Sequence, residues 1–178
     1  MEQYNVMPDV ITMAKGMGNG IPVGEVTTTL EIAESHRGKI HFSTYGGNSV
    51  STIQARLVIE TIQKHDYRKN AKEIGDYLMD RFLELQEKYK IIGEVRGMGL
   101  MLGIELVKDR KTKEPTAEQM AELMDLCKDK GLFIEKGAMA GNVIRIKPPL
   151  CITKDDADFI VKTLDETLGI FEKESGIG

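Results

Sequence analysis

Cysteine and histidine are scarce in this sequence, two and three of 178 residues. Cys127 and Cys151 form no CxxC pair, and two cysteines make no disulfide framework, so both are expected to be buried thiols in a reducing compartment. His36, His41 and His65 lack metal-ligand spacing, which argues against a zinc site. The first residues, MEQYNVMPDV, contain no basic region followed by an apolar core. No hydrophobic run approaches the length needed to span a bilayer, so no membrane partner is expected and the cytoplasm is the expected address. A net charge of -4 and a pI near 5.5, with basic residues spread among acidic ones, give no electrostatic footprint for nucleic acid. There is no internal repeat.

What is present suffices for a real core in one or two domains, since 41% of the residues are hydrophobic. The chain is organised around Pro8 to Val26. There a short apolar run, Val10-Ile11-Thr12-Met13, delivers Lys15 onto a loop with Gly16, Gly18, Gly20 and Gly24, stiffened by Pro22. Glycines allow close backbone approach, and a lysine in a poorly hydrated site loses proton affinity and becomes a nucleophile towards carbonyls. A solvated surface lysine is the alternative.

Two further places carry chemistry. HFSTYGGN offers the Thr44 hydroxyl, the Asn48 amide and the backbone of Gly46 and Gly47 at a helix start, which suits an anion but equally makes a capping turn. Arg145 stands in the apolar strand Val143–Ile146, ended by Pro148-Pro149. It needs an anionic partner such as a carboxylate, or an edge position from which its head reaches water. Arg96, at a strand end between glycines, reads as a structural hydrogen-bonder before a carboxylate ligand and is given no catalytic role.

In chain order, Val10–Met13 and Val23–Leu30 read as short strands without obvious partners, and Leu30–Arg37 as a short helix. Apolar spacing predicts a largely buried helix over Val50–Gln63. A second helix follows Asp66 with Ile74, Leu78, Phe82, Leu85 and Tyr89 inward and a solvated charged face. Ile91–Val95 and Leu100–Val107 are strands, the latter alternating Leu100, Leu102, Ile104 and Leu106 onto one face. KDRKTKEP is an exposed loop. Thr116 and Gln119 fit a capping box for a helix stopped by Gly131. Leu132–Glu135 and Val143–Ile146 are strands about a turn containing Gly137 and Gly141. A last helix runs from its Thr153 cap to Gly169. Residues 66 to 171 have enough helix and strand for one α+β domain on a small, largely antiparallel sheet.

Four blocks, MAKGMGNGIPVG, HFSTYGGN, GEVRGMGLMLGIEL and NVIRIKPPLCIT, stand in that order. Together they resemble the class-III aminotransferases, pyridoxal-phosphate enzymes that include the ornithine, 4-aminobutyrate and alanine–glyoxylate aminotransferases. The wording is closest to the alanine–glyoxylate type, and the resemblance reaches about Gly169. It implies an α/β PLP-dependent transferase fold of type I, here partial. Residues 1–65 would be the C-terminal remnant of the large PLP-binding domain with its connecting helix, 66–171 the small α+β C-terminal domain and 172–178 a frayed tail. The chain would thus begin partway through the large domain. The upstream acidic partner of the pyridine nitrogen, the phosphate-holding glycine turn and the ring-stacking aromatic would lie outside it.

By the same resemblance, Lys15 would be the Schiff-base lysine that holds pyridoxal 5'-phosphate and moves the α-proton. Thr44 would bind the cofactor phosphate of the neighbouring subunit in a homodimer with the cofactor site at the interface, and Arg145 the substrate carboxylate. Ser49 replaces the proline usual after GGN, and serine can also begin a helix. The implied activity is amino transfer between an amino acid or ω-amine and an oxo acid. Two other readings remain open: a racemase or decarboxylase of the same family, and a catalytically silent fragment or assembly module. In the latter, the apolar face of the Val50–Gln63 helix would be exposed or buried in a partner.

Overall fold

The computed structural model describes residues 1–175, and the chain divides into two compact units, Met1–His65 and Asp66–Gly178. In the first unit, β1 (Val10–Ala14) and β2 (Gly24–Thr28) are not unpartnered as expected: they pair with each other, antiparallel, Val10 opposite Thr28 and Ala14 opposite Gly24. The connection makes this possible. Lys15–Gly18 forms a 3-10 turn, and Asn19 and Gly20 follow with φ of 44° and 108°, so the chain doubles back. α1 (Leu30–Ser35) is capped by Thr29, whose hydroxyl accepts the Ile32 amide.

α2 (Ser49–Lys64) stands where the apolar spacing places a helix, with Asn48 as its cap: Oδ1 accepts the Val50 and Ser51 amides, each at 3.1 Å. The expected burial is absent. Val50, Ile53 and Leu57 are 66%, 53% and 51% exposed, and Ala55 is the one buried residue of the helix. A two-stranded ribbon and one tight turn have too little apolar surface to cover four turns of helix.

In the second unit, β3 (Ile92–Met98), β4 (Met101–Leu106), β5 (Glu135–Gly137) and β6 (Val143–Ile146) form an antiparallel sheet in the order β3-β4-β6-β5. Leu102, Ile104 and Leu106 alternate into the core, as the period of two requires. Over them lie α3 (Tyr67–Lys88), α4 (Met120–Asp129) and α5 (Lys154–Ser175), which contribute Leu78, Phe82, Leu123, Leu164, Leu168 and Phe171 to one buried cluster. Thr153 and Asp156 open α5 with a reciprocal box: the Thr153 hydroxyl accepts the Asp156 amide, and Asp156 Oδ2 accepts the Thr153 amide. Gly131, at φ 85°, stops α4, with the Leu132 amide reaching back to the Cys127 carbonyl.

Several local expectations are corrected by tertiary contacts. Thr116 does not cap α4. It is fully buried, its amide donates to the Leu106 carbonyl, and the helix starts at Met120 behind Gln119, which makes no side-chain cap. β5 begins at Glu135, not Leu132, and Gly137 lies in the strand. Gly169 does not end α5, because its place is set by a neighbour: a Cβ there would sit 3.2 Å from the Tyr89 hydroxyl oxygen. The tail expected from residue 172 is therefore helical as far as Ser175, and residues 176–178 lie outside the described residues. Cys127 is buried, but Cys151 is exposed.

The loop KDRKTKEP hides one structural residue. Arg110 Nε donates to the carbonyls of Lys90 (3.2 Å) and Ile92 (2.9 Å), and Nη2 to those of Tyr89 (2.9 Å) and Gln86. A cation thus closes the C-terminus of α3, where carbonyls lack partners and the helix dipole is negative. Arg110→Ala is expected to destabilise this unit by about 2 kcal/mol, read as a lower urea midpoint at unchanged slope. Arg110→Lys should recover only part of the loss, since one ammonium cannot reproduce the planar fork.

Candidate functional site

Lys15 sits at the point where β1 gives way to the 3-10 turn. Its φ is 58°, in the left-handed region that lysine occupies only when surrounding structure imposes it. On one side Ala14 is extended, and on the other the turn closes through the Asn19 amide on the Gly16 carbonyl at 3.2 Å. Lys15 lines a cleft of about 580 Å³ with Pro22, Val23, Ser43, Tyr45, Gly46, Gly47, Asn48, Ser51 and Thr52 among its other walls. The lysine loop and the TYGGN turn, separate in sequence, therefore face one space.

The wall opposite the lysine is the start of α2. Gly47 has a φ of 70°, and a Cβ built on it would meet nothing within 4 Å. Asn48 satisfies the Val50 and Ser51 amides, while among the described residues the amides of Gly47 and Ser49 have no acceptor. Free amides at the positive end of a four-turn helix suit an anion. Thr44 is exposed in the same turn and is not among the residues lining the cleft. Lys15 is itself exposed, so this chain does not supply the poor hydration expected around it. The ribbon and α2 form only one side of an enclosure.

Arg145 belongs to the second unit. It is not at a sheet edge: β6 lies between β4 and β5, with Gly103 and Glu135 as its two cross-strand neighbours. Its side chain points away from the core face that Ile144 and Ile146 bury, on the side of Val143, and is 44% exposed. Glu135 Oε2 lies 3.7 Å from its Nη1 and 3.1 Å from Lys147 Nζ. The Lys147 ammonium, chiefly, with a smaller contribution from Arg145, holds the Glu135 carboxyl below its ordinary range. A groove of about 540 Å³ runs beside Arg145, lined by Phe133, Glu135, Lys147, Pro148 and Pro149 among others. Two cations thus face an open groove with a single resident carboxylate.

Gly137 explains where the Arg145 stem lies. A Cβ there would fall 2.2 Å from Arg145 Cδ and 2.6 Å from Cγ, so the guanidinium stem crosses β5 only because residue 137 is glycine. Sequence reasoning placed Gly137 in a turn, and nothing short of the β5–β6 register could have revealed this role. Arg96, by contrast, is fully engaged in structure: Nη1 lies 2.7 Å from Glu94 and 2.6 Å from Glu105. The Arg96 hydrogen bond, above all, keeps the Glu105 carboxyl below its ordinary range. Among the described residues no cluster of three or more potential metal ligands occurs.

The family model for class-III aminotransferases matches residues 1–168. The chain is 51% identical over 167 residues to alanine–glyoxylate aminotransferase 2 homolog 2, mitochondrial, of Arabidopsis thaliana, covering 94% of this chain and 35% of that protein. It is 40% identical over 173 residues to a leucine/methionine racemase of Thermococcus litoralis, covering 97% of this chain and 37% of that protein. An amine transaminase from an uncultivated Pseudomonas species, solved in its PLP-bound form, superposes with a TM-score of 0.86 at 30% identity, over 95% of this chain and 40% of that one. The chain therefore spans about a third of the length of the curated relatives it matches.

Proposed function

Because the chain belongs to the class-III aminotransferases and carries part of their α/β, type-I fold, we propose that it is the C-terminal portion of a pyridoxal-phosphate-dependent transaminase. The whole protein would move an amino group between an amino acid or ω-amine and an oxo acid. Residues 1–65 are read as the end of its large cofactor domain and residues 66–171 as its small domain. The observation that carries this reading is the geometry of Lys15, a non-glycine residue at φ 58° that shares a cleft with an anion-suited helix start.

The residues present fit part of the cofactor: an amine for its aldehyde, and amides and a hydroxyl for its phosphate. When bound, pyridoxal phosphate supplies a ring that takes up the electron pair left when a proton leaves the substrate's α-carbon. Lys15 would hold it through Nζ. The same nitrogen, as a free amine, would take the substrate's α-proton and return it as general base and acid. Thr44, exposed outside its own cleft, is suited to donate its hydroxyl to a phosphate held by a second subunit, which accords with a homodimer sharing cofactor sites. Exposure of Lys15 and of the apolar face of α2 accords with further transferase surface closing over both.

Arg145 would take the substrate carboxylate through two parallel N–H groups. Glu135, 3.7 Å away, is the carboxylate that such a ligand competes with. Gly137→Ala pushes on the Arg145 stem and is expected to weaken productive binding of carboxylate substrates about tenfold while sparing amines that lack a carboxylate. Comparison of kcat/KM for the two substrate classes measures it. Equal loss on both would remove Arg145 from the carboxylate site.

The test of the whole reading is an absorbance scan of the purified protein with pyridoxal phosphate, then borohydride reduction and peptide mapping. A visible band trapped on Lys15 is expected. Labels scattered over surface lysines, or none, would sink it. Racemisation is the second reading, favoured by the 40% identity to a racemase, and chiral analysis of a single amino acid incubated without oxo acid separates it from transamination.

A further inference from the structure

We infer that Gln54, on α2, is a positioning residue for Lys15, an inference that rests on reading Lys15 as the cofactor-bearing lysine. Its carboxamide Nε2 donates to the Gly18 carbonyl at 2.7 Å and points to the Asn19 carbonyl at 3.3 Å. These are the last residue of the 3-10 turn that Lys15 begins and the left-handed residue after it. One amide group with two hydrogens therefore clasps two successive carbonyls, a fork that hydroxyls and apolar side chains cannot supply.

The far end of the turn is fixed from other sides as well. Gly18 is buried, and a Cβ on it would lie 2.8 Å from Val23 Cγ1, so the backbone there sits hard against the residue before β2. The Gly18 carbonyl also accepts the Ile21 amide at 3.3 Å. With its far end clamped between Val23 and Gln54, the turn leaves Lys15 at the near end in a φ it would not keep unaided. A lysine amine hangs on four rotatable bonds, so its reach is defined only as well as its backbone. Ser51, one helical turn before Gln54 on the same face of α2, lines the cleft with Lys15. Gln54 thus ties the lysine loop to the helix whose first turn makes the opposite wall.

Gln54→Met keeps the length and helix preference of the side chain but removes the donor, and Gln54→Glu keeps the shape but turns a donor into an acceptor. Gln63→Met, on an exposed part of α2, controls for helix effects. In the intact protein loaded with pyridoxal phosphate, the readout is the pH midpoint of the visible absorbance of the lysine-bound cofactor. Loosening the turn lets the nitrogen regain hydration, which favours its charged form, so the midpoint should rise by about one pH unit in both Gln54 variants. The Gln63 variant should match the parent. An unchanged midpoint in both Gln54 variants, or a change in Gln54→Glu alone, which would be an effect of charge, overturns the inference. Absence of any borohydride label on Lys15 in the parent protein would instead overturn the reading of Lys15 on which it rests.

Discussion

Lys15→Ala is expected to abolish the visible band of the loaded protein and to lower transamination by about a thousandfold or more, while the unit from Asp66 onward melts unchanged. Lys15 is the one amine among the residues that line the cleft, so no neighbour can take over either the covalent attachment or the proton transfer. The backbone makes a second comparison possible. At φ 58° a side chain with a Cβ is strained and glycine is not, so Lys15→Gly should be equally inactive but more stable than Lys15→Ala by about 1 kcal/mol. A difference of that sign in urea midpoints would show that the first unit stores strain at the residue that does the chemistry. Equal midpoints would mean that the left-handed turn relaxes in solution, and a visible band surviving in either variant would remove Lys15 from its role.

Gly75→Ala is expected to cause a large loss of stability in the second unit. A Cβ at Gly75 would lie 2.3 Å from the Gly99 carbonyl oxygen, 2.4 Å from its carbon and 2.5 Å from the Gly99 Cα. These are backbone atoms, which cannot swing aside as a side chain can. They belong to the turn between β3 and β4, where Gly99 itself needs a φ of 53°, two residues after Gly97 of β3 at 144°. Alanine would gain about 1 kcal/mol of helix preference in the interior of α3, but overpacking against rigid backbone costs about 3 kcal/mol or more, so the clash wins. The net fall of about 2 kcal/mol or more should appear as a lower melting temperature. A variant as stable as the parent would show that α3 and the β3–β4 turn can separate without penalty.

Elements set by local chemistry were legible without the structure. The period of α3, the alternation of β4, the Thr153 cap and the Gly131 stop depend on residues a few positions apart, and each stands where the spacing places it. Lys15, Thr44 and Arg145 stood out for a similar reason, each being a reactive or charged group in a setting of glycine or apolar residues.

Other features depend on contacts across tens of residues. Gln54 reaches Gly18 over 36 positions, Arg110 reaches Gln86 over 24, and the meanings of Gly75, Gly137 and Gly169 lie wholly in what stands opposite them. A glycine reads in sequence as a turn or a stop, because its freedom is local, whereas here three of them are needed for the space their missing Cβ leaves. The pairing of β1 with β2 was hidden likewise, since it follows from the reversal at Asn19 and Gly20 and not from either strand.

The sequence by itself determined the family and the order of the elements, because these reside in residue type and short spacing. Only the tertiary structure decided that Lys15 is held at positive φ in one cleft with the α2 start, that Arg145 crosses Gly137 towards an open groove, and that the face of α2 stays exposed. Those are facts of distance and burial between segments, and a linear pattern carries no term for either.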